Sequence, residues 1–208
     1  MCGRFFIALD LTSADEIRRV LGQAGARAEA RQLQFSFEGQ MRPSDCLPTL
    51  ACDRSLVPSG FPMTWGWRRR GGGLVINARS ETAARNAWFA QSARRRRCLV
   101  PASWYFEWRD EGGAGARGRK QRYALRPRLD EPWYLGGLYA LDERDPAGAR
   151  LVVLTRAAAA DIAFIHDRMP LLVPSSRRDD WLDPERAFPD VVGLATDDVE
   201  YARDTFVA

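Results

Sequence analysis

Apolar residues in this chain recur mainly in short runs that glycine, proline and charged residues interrupt, which is typical of many strands and few helices. Strands are predicted at residues 61–67, 74–76, 98–100, 104–108, 123–126, 133–141, 151–155 and 171–173, with shorter ones between residues 33 and 57. The glycine-rich residues 111–120 are predicted to form the tip of a long hairpin. The pattern therefore predicts one α+β domain around a curved sheet.

The first helix is predicted shortly after the amino terminus. Ser13 and Glu16 have the spacing of a capping box, in which two side chains satisfy N–H groups at a helix start. Apolar residues then recur at helical spacing until Gly22 or Gly25, either of which can end the helix. Further helices are predicted over residues 81–93, with Trp88 and Phe89 pointing inward, and over residues 157–165 and 179–182.

Composition places the chain among globular proteins. It has 208 residues, 46% hydrophobic and 28% charged, and we expect one domain over residues 1–208. No apolar run approaches the length of a membrane span, so we expect a soluble, cytoplasmic monomer without a membrane partner. Four widely spaced cysteines and a single histidine favour free thiols over bridges or a zinc site, and we expect neither metal nor cofactor.

The positive charge points to an acidic partner. The formal net charge is +4, and 30 of the 31 basic residues are arginine, whose planar fork suits phosphate contacts. Basic residues cluster at 68–70, 94–97 and 117–122, and tryptophans lie between the clusters. This combination favours a groove for single-stranded nucleic acid, although solvated surfaces and core tryptophans explain it equally simply. The tryptophans concerned are Trp65, Trp67, Trp104 and Trp108.

Cysteine is the second residue, in the segment Met1-Cys2-Gly3-Arg4-Phe5. Removal of Met1 would leave an amine and a thiol on one residue, and we expect this removal because cysteine is small. Such a 1,2-aminothiol can condense with an aldehyde to an imine and then close to a thiazolidine. It can also act as an amino-terminal nucleophile with its own amine as base. The simpler alternative is that Cys2 only begins a buried strand.

Three internal segments carry further candidate chemistry. Asn77 and Arg79 follow a buried strand and could line a cleft, although Asn77 or Ser80 could instead cap the next helix. Glu107 lies among aromatic residues, where loss of solvent would raise its pKa for acid–base work, unless it points outward from a half-buried strand. His166 lies between charged residues and a proline, which fits the edge of a site better than a core.

Together these segments resemble the SOS-response-associated peptidase (SRAP) family of abasic-site-sensing proteins. Five matching stretches occur in the family's order and extend to about residue 181. The stretches are Met1-Cys2-Gly3-Arg4-Phe5, Trp65-Gly66, Asn77 to Thr82, Pro101-Ala102-Ser103 through Glu107-Trp108, and Ile165 to Pro170. The resemblance implies an α+β fold with a twisted, barrel-like, mostly antiparallel sheet flanked by helices.

The resemblance also implies an activity. Family members capture abasic sites in single-stranded DNA through a thiazolidine, which shields the lesion during the DNA damage response. Carried over to this chain, Cys2 is the nucleophile, Asn77 orients the amino terminus and the sugar, and Glu107 and His166 transfer protons. The DNA-binding residues implied or predicted with them are Arg4, Trp65, Arg79, Trp108, Thr155 and Arg168. We expect the protein to associate with the nucleoid when bound to DNA.

Two other functional classes remain open from the sequence. One is a cysteine peptidase or amidohydrolase of the amino-terminal-nucleophile type, in which Asn77 helps to form an oxyanion hole and the protein processes itself. The other is a noncovalent single-strand binder that uses only arginines and tryptophans, and whose affinity falls with rising salt. Weak lyase activity would accompany covalent capture if Glu107 or His166 reprotonated the sugar ring.

Overall fold

The computed structural model describes residues 2–8, 15–111 and 120–204. The strands are β1 (Phe5–Ile7), β2 (Gly39–Met41), β3 (Cys46–Cys52), β4 (Pro58–Trp65), β5 (Trp67–Arg68), β6 (Leu74–Val75), β7 (Asn77–Arg79), β8 (Arg97–Pro101), β9 (Trp104–Asp110), β10 (Lys120–Pro127), β11 (Trp133–Leu141), β12 (Ala149–Ala157), β13 (Arg168–Pro170), β14 (Leu172–Pro174) and β15 (Val199–Arg203). The helices are α1 (Asp15–Ala30), α2 (Ser80–Ala83), α3 (Ala90–Arg95), α4 (Arg178–Leu182) and α5 (Phe188–Val192).

Five long strands close into a ring. Their order is β12, β4, β3, β8 and β11, and β11 pairs again with β12. Four of these five pairings are antiparallel, whereas β4 and β12 run parallel, with Thr64 opposite Arg150. The ring confirms the predicted α+β class with a twisted, barrel-like and mostly antiparallel sheet.

The ring strands bury side chains on both of their faces. In β12, Leu151 and Val153 belong to one hydrophobic cluster, whereas Val152 and Leu154 belong to a second cluster. Successive side chains of a strand point to opposite faces, so β12 joins two cores, as do β3, β8 and β11. This explains why β12 appears in the sequence as an uninterrupted apolar run rather than as an alternating pattern.

A second sheet carries the amino terminus. Its strand order is β15, β10, β9, β1 and β2, so that β1 is held between β9 and β2. The pairing of β9 with β10 extends from Asp110 opposite Lys120, as expected for the predicted hairpin. The tip of that hairpin, residues 112–119, lies outside the described residues.

The first helix is longer than predicted. Neither Gly22 nor Gly25 ends α1, which continues to Ala30 because Ala24 and Ala28 remain buried against the protein. The helix lies so close to β4 that a Cβ atom at Gly60 would overlap the backbone of Val20. Tertiary packing therefore outweighs the low helix propensity of glycine. The predicted cap residue Ser13 lies outside the described residues.

Two further helix predictions are wrong. Residues 81–93 form two short helices, α2 and α3, and Trp88 between them is 47% exposed while Phe89 is buried. Residues 157–165 contain only a 3₁₀ turn, because β12 continues through Ala157, which pairs with Arg168. Among the helices of the described residues, none is long and apolar enough to cross a membrane.

Candidate active site

Cys2 lies three residues before β1 and is fully buried. Its Sγ atom is 3.8 Å from the carbonyl oxygen of Arg4. Burial raises the pKa of the thiol well above its usual range, and the negative charge of Glu107 acts in the same direction. The sulfur is therefore protonated at neutral pH and lies within the electrostatic reach of Glu107. All four cysteines are free, as predicted.

Asn77 connects the two sheets at this residue. Its Nδ2 atom donates a hydrogen bond of 2.9 Å to the carbonyl oxygen of Cys2. Its Oδ1 atom is buried and has no hydrogen-bond partner in the described part of the chain. The alternative role as a helix cap is excluded, because Arg79 occupies the N-cap position of α2 and no side chain caps that helix.

Glu107 points into the protein and not into solvent. It belongs to β9 and is 3% exposed, so the alternative of an outward-pointing glutamate is wrong. Burial raises the pKa of Glu107 to about 7, against the opposing positive charge of the amino terminus. A carboxyl group with this pKa can both give and accept a proton near neutral pH.

Tyr105 is a site residue that the sequence reasoning missed. It lies two residues before Glu107 in β9, and alternation places both side chains on the same face of the strand. Its ring is fully buried opposite Phe5 of β1, and its hydroxyl has no hydrogen-bond partner among the described residues. Burial raises the pKa of this hydroxyl well above its usual range, and Cys2 and Glu107 act in the same direction.

His166 lies two residues before β13. Its Nδ1 atom lies 2.9 Å from the backbone nitrogen of Arg168 and 2.9 Å from Oδ1 of Asp167. These contacts need opposite protonation, since Nδ1 accepts from the Arg168 N–H but must carry a proton to donate to Asp167. Burial lowers the pKa of His166, as does the amino-terminal charge. The neutral ring that accepts from Arg168 is therefore favoured.

Arg168 holds the histidine segment in place. Its guanidinium forms a bidentate ion pair with Glu81, with N–O distances of 2.7 and 2.9 Å, and donates to the carbonyl oxygen of Thr155 at 2.8 Å. The hydrogen bond from Arg168 lowers the pKa of Glu81 to about 2. The predictions of Arg168 and Thr155 as DNA ligands need correction, because Thr155 is buried and the Arg168 side chain is 13% exposed and occupied by protein partners.

Trp65 also differs from the prediction. It is completely buried, its indole N–H donates to the carbonyl oxygen of Ile76, and its ring packs 5.4 Å from that of Phe5. It therefore supports β1 from within the core and offers no surface for a base. Trp67 is buried as well, and Arg97 donates to the carbonyl oxygen of Trp181, so the predicted groove does not include them.

The other predicted DNA ligands lie at the surface. Arg79 is exposed, and the guanidinium of Arg4 lies 5.7 Å from the centre of the Trp108 ring. Trp108 begins a row of three aromatic side chains on one face of β9, and each carries an arginine at cation–π distance. The pairs are Arg4 with Trp108, Arg122 with Phe106 and Arg126 with Trp104.

The site contains groups that can transfer protons, and no metal-binding group of side chains is found among the described residues. Across residues 2–8, 15–111 and 120–204, no three His, Cys, Asp or Glu side chains are grouped to hold a metal ion. The site combines a buried thiol, a carboxyl group with a pKa of about 7, a mostly neutral imidazole and two buried polar atoms that have no partner among the described residues. Groups of this kind suit covalent chemistry on a carbonyl carbon.

Comparison with known proteins assigns the family. The sequence profile of the family described as SOS response associated peptidase (SRAP) matches residues 1–201. The chain belongs to the SRAP family. It is 25% identical over 201 residues to abasic site processing protein YoqW of Bacillus subtilis, covering 91% of this chain and 84% of that protein.

Similarity within the SRAP family extends to a more distant relative and to a solved structure. The chain is 23% identical over 223 residues to abasic site processing protein HMCES of Gallus gallus, covering 88% of this chain and 66% of that protein. The crystal structure of a phage-related protein from Bordetella bronchiseptica superposes with a TM-score of 0.72 at 21% identity. The superposition covers 99% of this chain and 95% of that protein, which shows a common fold.

Proposed function

We propose that this SRAP protein binds abasic sites in single-stranded DNA and captures them covalently through the amine and thiol of Cys2. The observation that carries the proposal is the hydrogen bond from Asn77 to Cys2 beside a glutamate whose pKa is about 7. The relatives' names as abasic site processing proteins support the same substrate.

The first step is opening of the deoxyribose ring. An abasic sugar is mostly a closed hemiacetal, and its aldehyde forms when the ring oxygen gains a proton and the anomeric hydroxyl loses one. Glu107 supplies the proton, because its pKa of about 7 leaves a large protonated fraction at neutral pH. His166 receives the other proton at Nδ1, because its lowered pKa keeps the ring neutral beforehand; the bond from the Arg168 N–H is then given up and Nδ1–H donates to Asp167. The two groups therefore divide the acid and base roles.

The second step joins the protein to the sugar. After removal of Met1, the neutral Cys2 amine adds to the aldehyde carbon and water leaves, which gives an imine. An α-amino group with a pKa of about 7.7–8.0 keeps a useful neutral fraction at pH 7. The sulfur then adds to the same carbon, and its proton passes to the imine nitrogen. Because burial keeps the thiol protonated, this proton is available at the sulfur.

The row of arginine–aromatic pairs supports binding of the flanking strand through its two end pairs, because Phe106 in the middle is buried and Arg122 pairs with Asp204 at 2.8 Å. It begins at Arg4 and Trp108, next to Cys2 and Glu107, and ends at Trp104 and Arg126 about four residues along β9. Aromatic faces stack bases and arginines bind phosphates without sequence preference. We assign the surface role to the two end pairs of this row and to Arg79, and assign to Arg168 and Thr155 the positioning of His166.

A direct test uses an oligonucleotide with one abasic site. The mature protein, whose intact mass reports loss of Met1, should give a denaturant-stable shifted band, and a digest should place the added sugar mass on Cys2. Cys2→Ala and Cys2→Ser should give no band, whereas Cys52→Ala should behave as the unaltered protein. A stable band from Cys2→Ala would refute the proposal, and hydrolytic turnover by Cys2→Ser would favour the amidohydrolase alternative.

A further inference from the structure

A cavity of about 570 Å³ lies away from the candidate active site. It is bounded by the carboxyl ends of α1 and α3, by the turn between β3 and β4, and by the start of β12. Ala149 lines it, whereas Thr155 of the same strand lies beside the histidine segment. Six strand residues separate the two positions, which corresponds to about 20 Å.

Five arginines line this cavity. Two come from the end of α1, one from the β3–β4 turn and two from the end of α3: Arg27, Arg31, Arg54, Arg95 and Arg96. The only acidic residue in the lining is Asp53, whose Oδ1 atom already accepts from the backbone N–H groups of Ser55 and Val57. Among the residues that the structure describes, none of the five arginines forms an ion pair, whereas Arg27 donates to the carbonyl oxygen of Gly60 and Arg31 to that of Ala147.

This cavity carries an excess of positive charge that the other cavity described here does not have. Five arginines against one aspartate leave a local excess of four positive charges, as large as the net charge of the whole chain. A second cavity of about 550 Å³ shows the contrast, because its arginines Arg68 and Arg150 are balanced by Asp45 and Asp145. There Arg150 and Asp145 pair at 2.7 Å.

The helix ends alone do not explain the arrangement. Basic residues in the last turn of a helix stabilise it by offsetting the negative end of its dipole. This accounts for arginines along α1 and α3, but Arg54 belongs to no helix and still faces the same cavity. The guanidinium of Arg27 is also held in place, because it lies 4.4 Å from the centre of the Phe61 ring.

We propose that this cavity is a second binding site, which takes the phosphate groups of a nucleotide. Guanidinium groups that lack a carboxylate partner bind phosphate oxygens through two parallel N–H donors, and repulsion among five neighbouring cations is relieved by a bound anion. The volume suits a nucleotide-sized ligand, and Tyr139 and Phe61 add aromatic surface to the lining. The phosphates could come from a DNA strand or from a free nucleotide.

A DNA strand and a free nucleotide differ in the length of ligand that they require. A strand that reached from the candidate active site to the cavity would span about 20 Å, or about six stacked nucleotides. A free nucleotide needs only the cavity itself. The site does not depend on covalent capture, so undamaged ligands test it and a failure of the proposed capture reaction leaves this test intact.

The test compares two triple variants. The cavity variant is Arg54→Gln, Arg95→Gln and Arg96→Gln, and the control removes three positive charges elsewhere through Arg19→Gln, Arg128→Gln and Arg177→Gln. Binding of a 20-residue oligothymidine is measured by fluorescence anisotropy over a range of salt, and binding of dATP by calorimetry. Thermal unfolding reports whether each variant is folded.

The cavity variant should raise the Kd for at least one ligand about tenfold, and the control should change it less than threefold. For the oligothymidine, the salt dependence should also fall by about two to three phosphate contacts. Weaker binding of the oligothymidine alone identifies DNA as the source, weaker binding of dATP alone identifies a free nucleotide, and weaker binding of both shows that the site accepts either. Equal behaviour of the two variants overturns the proposal, as does absence of saturable binding of either ligand to the unaltered protein.

Discussion

The Nδ2 atom of Asn77 donates a 2.9 Å hydrogen bond to the carbonyl oxygen of Cys2, while the Oδ1 atom of the same side chain is buried without a partner in the described part of the chain. One amide thus fixes the residue that would carry the amine and leaves an acceptor free for a ligand. A buried polar atom without a partner costs about 1–3 kcal/mol, so its presence in a folded site indicates a group that is satisfied on binding.

Replacing Asn77 should slow capture without removing the fold. Asn77→Ala removes both the donor and the acceptor, and we expect the rate of adduct formation to fall about tenfold or more. Asn77→Asp keeps the size but loses the donor, and should be at least as slow because two oxygens would then face each other. Asn86→Ala is the matched control, as Asn86 is exposed. Adduct formation by Asn77→Ala at the rate of that control would contradict the assigned role.

Glu107 should impose a pH dependence on capture. Since burial raises its pKa to about 7, the protonated fraction that opens the sugar ring decreases as the pH rises through this value. Single-turnover adduct formation measured from pH 5.5 to 8.5 should show this decline in the unaltered protein. Glu107→Gln should be slower throughout and lack it. A parallel decline in the variant would assign the titration to another group, such as the Cys2 amine.

The same residue should make the fold less stable as the pH rises. Its pKa is raised from 4.5 to about 7, so between these values the folded protein binds more protons here than the unfolded chain does. Stability contributed by Glu107 therefore falls from pH 4.5 to 7 and is constant above, by about 3 kcal/mol in total. Urea unfolding of the unaltered protein and Glu107→Gln across this range measures the difference. A constant difference would show that the pKa is not raised.

Removal of the hydroxyl should change stability and capture rate differently at two buried tyrosines. Tyr105 has no hydrogen-bond partner for its hydroxyl among the described residues, so Tyr105→Phe should leave the unfolding temperature unchanged or higher. If the hydroxyl meets the sugar, capture should slow about fivefold or more. The Tyr134 hydroxyl donates to Glu16, and Tyr134→Phe should cost about 1–2 kcal/mol of stability with capture unchanged. Equal capture rates in the two variants would remove Tyr105 from the site.

A pair of glycines tests the packing of α1 on the ring. Gly60→Ala places a methyl group against the backbone of Val20, and we expect a loss of about 3 kcal/mol or more because backbone cannot move aside easily. Gly22→Ala meets nothing within 4 Å and lies inside α1, so it should gain about 0.5–1 kcal/mol. Thermal unfolding of both variants measures these changes. A neutral Gly60→Ala would mean that α1 does not lie this close to β4 in solution.

Local pattern predicted the long strands well because their ends carry clear turn residues. The strand predicted at residues 133–141 has the same bounds as β11. The helix errors arise where long-range pairing decides the conformation. Ala157 is a good helix former, yet it stays in β12 because it pairs with Arg168, a contact that no local window of sequence contains.

The candidate site was predictable in its chemistry but not in its accessibility. Local sequence context singled out Asn77, Glu107 and His166, the resemblance supplied their roles, and the structure shows the contact or pKa displacement of each. Residue type could not reveal that Trp65 and Thr155 are buried or that Arg168 is occupied by Glu81, because burial and pairing depend on the closed ring. Tyr105 was detectable only through its alternation with Glu107 along β9.

The place of β1 in its sheet has a mechanical consequence. Hydrogen bonds from Phe106 to the carbonyl oxygen of Arg4 and from Ser103 to that of Phe6 fasten this strand to one neighbour, and β2 flanks it on the other side. If a polymerase or helicase pulled on DNA attached at Cys2, the force on the protein would act along the axis of β1. Several hydrogen bonds of β1 would then have to break at the same time. The strand would therefore resist extraction more strongly than if its hydrogen bonds could break one after another from one end.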